Sequence, residues 1–571
     1  MEDRLSTLEQ QVQALEQRLA KLEGRSESWG AAPGPRARSA EPEALDDTAL
    51  VSGSDFSVFL THAGRSLIVL GGAYLLRALT EGGRLPALTG VALGLAYAVL
   101  WLFAAGRAAS RGRRGDATFH GLTATAIAYP LLFEATLRFH YLSPPAAAAV
   151  LTLLAGLGLG IAGRSRHQVL AWVTTLASLL TALALLAGTG VVLPFEGFLI
   201  VLGLATLWLG YEREWTLLRW LAALAADFVA LGLVLRALTP ARPDAPGAVI
   251  GVLLALIGGY LASFAFRTLV RHRDVVPFEF VQSTGILLVG LGGAVLIARS
   301  TGSAVEPLGA TALVLGAAAY GVAHVFLGRA EGRGVNFHFY GTLALAFGIV
   351  GLRLLLADPP LALVFAALAV AGAALGARGG CAAFRLHGLV YLVGAAWVSG
   401  LLGDAFASTF GEGLARGRAS GWLGWLLLPT AAGCVLLLHR RSGAADDALS
   451  RLARLGFVGL LVLLLGAAGI DAAMAVSKAS LGRLPGLGGL ATLRTVVFAS
   501  AAVGLAGCAR RLGLRELGWV AWALLGITGL KILVEDLRLS PPSLLFVAFA
   551  TCGLAFILVP RLLKAPGPTE G

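Results

Sequence analysis

From about Phe56 onward, apolar runs of about 18 to 24 residues alternate with short polar or proline-bearing breaks, and few folds can accept that pattern. A hydrocarbon core about 30 Å thick is crossed by about 20 helical residues, whereas a membrane β-strand needs only about 9–11. A helix also satisfies its own backbone hydrogen bonds, which lipid cannot do for it. Apolar residues make up 57% of the 571-residue chain and charged residues 14%, against about 25% charged in soluble proteins. The expected fold class is all-α: a polytopic transmembrane helix bundle of roughly 18 spans. Spans are expected near 56–79, 86–106, 117–139, 145–163, 168–188, 192–210, 217–238, 246–266, 278–298, 305–327, 336–357, 359–377, 384–402, 421–438, 455–474, 489–508, 516–534 and 542–560.

The breaks are of two alternating kinds. Those after even-numbered spans are basic, as at Arg107 to Arg114, Arg213, Arg267 to Arg273 and Arg440 to Arg454. All but one of those after odd-numbered spans carry proline, as at Pro144-Pro145, Pro194, Pro359-Pro360 and Pro541-Pro542, the exception being Gly403 to Ser420. The basic set holds about twice as many Lys and Arg, and the positive-inside rule then puts it, with both termini, in the cytoplasm. The first 24 residues lack the apolar core of a cleavable signal peptide, so the first span is expected to serve as the targeting signal.

Ahead of the first span, Leu5, Leu8, Val12, Leu15, Leu19 and Leu22 alternate in steps of three and four, as a coiled-coil seam does. Arg4, Gln11 and Arg18 would face Glu9, Glu16 and Glu23 of a parallel partner. The resulting organisation is a coiled coil over 1–24, a Gly/Ala/Pro/Ser-rich linker over 25–55, a transmembrane helical domain over 56–563 and a tail over 564–571. The expected partners are the lipid bilayer and a second copy of the chain or another coiled-coil strand. The net charge of +12 is spread over short clusters between apolar runs, which suits loops at an anionic leaflet and argues against nucleic acid.

Three segments repeat one pattern of apolar span, basic break, charged span and double proline: Gly94 to Pro145, Gly316 to Pro360 and Val503 to Pro542. Helix-pair internal repeats follow. The charged spans carry the residues most expensive to place in lipid. Glu134 with Arg138, and Lys531 with Glu535, have the i,i+4 spacing of an ion pair, and Arg353 occupies the position equivalent to Arg138. His120 and His338 each follow a phenylalanine at the start of their span; interfacial anchoring is their plainer role and solute contact the alternative. Asp227 stands near the middle of its span with no partner a turn away on the same helix. A proton, cation or solute site is one explanation, and a bond to a neighbouring helix the other.

No nucleophile elbow, His-Glu-x-x-His helix, phosphate loop or cysteine cage is present, and Cys381, Cys434, Cys508 and Cys552 lack paired spacing. The chain therefore reads as neither an enzyme nor the holder of a cofactor or metal. Two functions fit: transport or permeation of a small solute or ion, and a membrane scaffold or envelope-assembly role through the amino-terminal coiled coil.

The heptads, with GGAYLLRALTEGGRLPALTGVALGLAYAVLWLFAAGR and FHGLTATAIAYPLLFEATLRFHYLSPP after them, resemble a family of predicted bacterial multi-pass membrane proteins of unknown function. The likeness is clearest over roughly residues 1 to 190. Family members follow the fifth span with a Gly-Gly-Phe-type stretch and a Leu-Thr-Pro step, where this chain has LLTALALLAGTGVVLP. The resemblance implies an inner-membrane helix bundle and carries no functional residues with it.

Overall fold

A computed structural model describes residues 84–241, 244–327, 334–379, 381–410, 421–439, 448–481 and 485–564, with Gly64, Gly71, Gly72 and Gly82. The coiled-coil seam, the linker and the first expected span, apart from a few isolated positions, lie outside the described residues. All described residues except Gly64 belong to one unit, Leu70–Gly571, and every regular element among them is helical.

The helices begin and end where the backbone chemistry of the breaks dictates. α1 (Ala87–Ser110) starts after Pro86, and α2 (Arg114–Leu137) follows a three-residue turn. α3 (Pro144–Ser165) opens on a proline, whose missing N–H costs nothing in a first turn, and stops at Arg166 in the left-handed region. α4 (Gln168–Thr189) ends the same way at Gly190, and α5 (Leu193–Arg213) at Glu214. α6 (Thr216–Ala237), α7 (Pro246–Leu269) and α8 (Pro277–Thr301) follow, with a π-helical turn in α8 at Ile286–Leu291. Next come α9 (Val305–Leu327), α10 (Val335–Leu355), α11 (Asp358–Gly379) and α12 (Ala382–Val398). The series closes with α13 (Leu401–Phe410), α14 (Gly421–His439), α15 (Ala448–Leu481), α16 (Leu487–Leu512), α17 (Arg515–Leu539) and α18 (Pro542–Leu563). A second π-helical turn, Ile532–Asp536, lies within α17.

Helices neighbouring in sequence pack as hairpins: α1 with α2, α5 with α6, α9 with α10, α11 with α12 and α16 with α17. The three sequence repeats fall on α1–α2, α9–α10 and α16–α17. Small residues let the pairs close up. A Cβ on Gly372 of α11 would stand 2.8 Å from the Cα of Gly388 in α12, and one on Gly316 of α9 would stand 3.2 Å from the backbone nitrogen of Gly348 in α10.

Among the described residues, 14 helices are long and apolar enough to cross a membrane. The share of each apolar stretch enclosed by protein runs from 22% in α18 to 56% in α5 and α10. The remainder is apolar too: Leu153, Phe228, Leu288, Trp397 and Phe546 all point outward. Helices apolar all round suit lipid and not water.

The structure departs from the expected span series in two places. The span expected at 384–402 is bent by 78° between α12 and α13, at a break where Gly400 has φ +78°, so α13 enters the stretch expected to be a loop from Gly403 onward. α2 has a span's length but falls short of a span's hydropathy, because His120, Glu134, the Tyr129-Pro130 step and several threonines fall within its apolar stretch. α14, by contrast, coincides with the span expected at 421–438.

Candidate functional site: a polar centre in α5 to α8

The acid that stands out in the sequence sits in a cluster whose other members do not. Asp227 on α6 is half-buried, and its Oδ1 accepts a hydrogen bond from the Gln282 side-chain amide of α8 at 3.0 Å. Its partner is thus on a neighbouring helix. The other oxygen faces Gly285, where a Cβ would lie 2.9 Å from Oδ2. The glycine makes room for the carboxylate.

Glu196 and Gly203, seven residues apart, lie on one face of α5. Glu196 is completely buried, and among the described residues neither of its carboxylate oxygens has a hydrogen-bond partner. Tyr260 of α7 is completely buried as well, its hydroxyl also without a partner and packed so closely over Gly203 that no side chain would fit there. Glu196 and Tyr260 are both within electrostatic reach of Asp227. Ser283, beside Gln282, adds a fourth buried unpartnered oxygen. The π-helical turn of α8 begins three residues later; such turns widen a helix by one residue and recur at functional sites.

Two carboxylic acids thus occupy one helix cluster, and no ion pair to either is formed among the described residues. Burying a charge uncompensated costs several kcal/mol (about 2.5 to 3.5 even on the lenient insertion scale). Such acids carry protons or exchange them. The close packing of Tyr260 on Gly203 and of Asp227 on Gly285 suits a proton better than a hydrated ion, and among the described residues no group of three or more His, Cys, Asp or Glu could hold a metal.

The other candidates lie elsewhere. The Arg138 guanidinium covers the Phe139 ring at 5.2 Å, and its backbone N–H donates to the Glu134 carbonyl. Arg353 pairs with Asp358 at 3.2 Å at the exposed turn between α10 and α11. The His120 ring lies tilted against Trp101, and His338 meets Phe337 edge-on. Lys531 pairs with Glu535 at 3.3 Å, and also with Asp536 at 3.1 Å. Arg494 of α16 binds Glu535 at 3.0 Å and the Ser408 carbonyl at 2.8 Å. Thr495 donates to Asp536 and accepts from Lys531. This second network is balanced in charge and richly bonded. Helices α2, α6, α10 and α17 make no extensive contact with one another among the described residues, so the candidates do not converge on one site.

Sequence reasoning passes over Glu196, Tyr260, Ser283, Arg494 and Asp536. Glu196 hides in the LPFEG break, where an acid looks like an ordinary loop residue; the only signal was its place two residues inside the helix opened by Pro194.

No family model matches the chain, and no curated protein does. A solved structure described as a circular tandem repeat protein with novel repeat topology and enhanced subunit contact surfaces aligns with 83% of this chain and 97% of its own, at 12% identity and a TM-score of 0.29. At that score the likeness carries no argument.

Proposed function

We propose that this chain is an inner-membrane protein of the bacterial multi-pass type it resembles, and that it passes protons through the polar centre of α5 to α8. One observation carries the reading: Glu196 is fully enclosed with both carboxylate oxygens unpartnered, beside a second acid and a buried tyrosine hydroxyl. With the basic connections in the cytoplasm, Glu196 stands toward the outer end of α5 and Asp227 midway along α6, a spacing in depth that suits a relay.

The test is proton flux in liposomes that hold the purified protein and a pH-sensitive dye, driven by a potassium diffusion potential. The wild type should acidify or alkalinise the lumen well above empty liposomes. Asp227→Asn can keep the bond to Gln282 and should fold, yet lower the flux by about tenfold or more, the scale of losing a positioned acid–base group. Glu196→Gln should do the same. Wild-type flux no greater than that of empty liposomes, or an Asp227→Asn protein as active as wild type, would sink the proposal.

We place both ends of the chain in the cytoplasm and assign residues 1–24 to parallel self-association, the support being the charge of the breaks and the leucine seam. One cysteine tests both. In a Cys508→Ser background, Leu15→Cys should crosslink to a second copy in membranes, and an impermeant thiol reagent should reach it only after permeabilisation. Labelling in intact cells would overturn the orientation, and absence of a crosslinked dimer would overturn the pairing.

A further inference from the structure

About halfway along their lengths, α15, α16 and α17 do not close on one another. A cavity of about 190 Å³ lies between them, lined by apolar residues apart from Thr409 of α13. Gly459 and Gly466 of α15 both line it, seven residues apart and therefore on one face of the helix. A Cβ added to either would meet nothing within 4 Å. That sets them apart from Gly372 and Gly388, whose missing side chains let two backbones touch. Here the glycines hold space open.

The space faces lipid rather than water. Phe498, buried, closes it on the α16 side, whereas Ala523 and Ile527 of α17, one turn apart, are exposed, so the cavity opens sideways past them. Its lining contains no charged residue. The charged network begins a turn away, with Arg494 four residues before Phe498 and Lys531 four residues after Ile527, and both cations are already paired with Glu535 and Asp536. An apolar cavity of about 150 Å³ already stays dry and admits benzene, because water finds no hydrogen-bond partners in it. At mid-depth in a span, what stands at the mouth is hydrocarbon.

We propose that the cavity binds the methyl end of one acyl chain of a membrane lipid, inserted past Ala523 and Ile527 to lie along Gly459 and Gly466. A flexible chain without polar atoms suits a dry, laterally open space, and it restores the dispersion contacts that an empty void forfeits. Thr409 lines the cavity, and the carbonyl of the adjoining Ser408 holds Arg494 at 2.8 Å. The bound chain therefore also props α13 against the charged network. The site is separate from the Glu196–Asp227 centre and does not depend on proton passage.

The test places the full chain in phosphatidylcholine nanodiscs with a small share of phosphatidylcholine that carries a diazirine near the methyl end of one acyl chain. After irradiation, peptide mass spectrometry maps the adducts. They should concentrate at 459–466 and 523–527, well above the level at Leu153 and Phe546, which face outward on open helix surface. Gly459→Leu with Gly466→Leu fills the space and should cut the cavity adducts several-fold while leaving those at Leu153 and Phe546 unchanged. Should the double variant fail to fold, Ala523→Phe at the mouth should give the same loss. Cavity adducts no denser than those at Leu153 and Phe546, or undiminished in the folded variants, overturn the proposal. So does a disulfide dimer of Ile527→Cys in a Cys508→Ser background, which would put a second copy of the chain over the mouth.

Discussion

Lys531→Ala is expected to destabilise the protein by about 3–5 kcal/mol, the cost of leaving a buried charge without its partner. Lys531 donates to the Ala491 carbonyl at 2.8 Å, to Thr495 at 2.9 Å and to Asp536, which is fully buried. Removing the ammonium leaves the buried Asp536 carboxylate with the Thr495 hydroxyl as its side-chain partner among the described residues. Lys531→Met combined with Asp536→Leu removes both charges at similar volume and should recover most of the loss, while Arg494 and Glu535 remain paired. The measurement is the midpoint of thermal unfolding in detergent, followed by retention of α16–α18 against protease. If Lys531→Ala unfolds with the wild type, or the double variant is no better than the single one, the network does not hold these helices together.

A further loss is expected at the close contact of α11 with α12. Gly388→Ala places a methyl group 2.9 Å from the Ala369 carbonyl oxygen and 3.0 Å from the Ala373 nitrogen, both backbone atoms that cannot turn aside. α11 and α12 must then separate, at a cost of about 1–3 kcal/mol or more. Gly433→Ala on α14 meets nothing within 4 Å and should be neutral, or stabilising by up to about 1 kcal/mol through helix propensity. Unfolding midpoints of the two variants decide the matter. Equal midpoints would mean that the α11–α12 contact is looser than its geometry implies.

Much of the helix series is legible in the sequence because its causes are local. Pro144, Pro194, Pro246, Pro277 and Pro542 open helices, and Gly190, Gly302 and Gly513 close them in the left-handed conformation. A hydropathy window needs nothing more. The bend at Gly400 is less legible, since a glycine in an apolar run is as compatible with a close contact, as at Gly388, as with a break. The candidate site was legible only as Asp227. Its bond to Gln282 joins residues 55 apart, and the enclosure of Glu196 depends on helices packed around it rather than on its own neighbours in the chain. In the same way Lys531 and Glu535 announce an ion pair by spacing, whereas Asp536 joins through the π-helical turn, which places a residue that regular α geometry would have rotated elsewhere.

The outward-facing half of this helix series has a consequence for how such a chain drifts over generations. A position turned to lipid, such as Leu153, Phe228 or Phe546, is asked only to be apolar. Leucine, isoleucine, valine and phenylalanine are synonyms there, and exchange among them goes unselected. Gly372, Gly388, Gly203 and Asp536 have no synonyms, because each is fixed by an atom within contact distance. The heritable message is therefore sparse: a few dozen constrained letters set in long stretches of interchangeable text. Descendants of a common ancestor would lose resemblance across most of their length while keeping those letters, and kinship among such chains is better sought in the constrained positions than in overall identity.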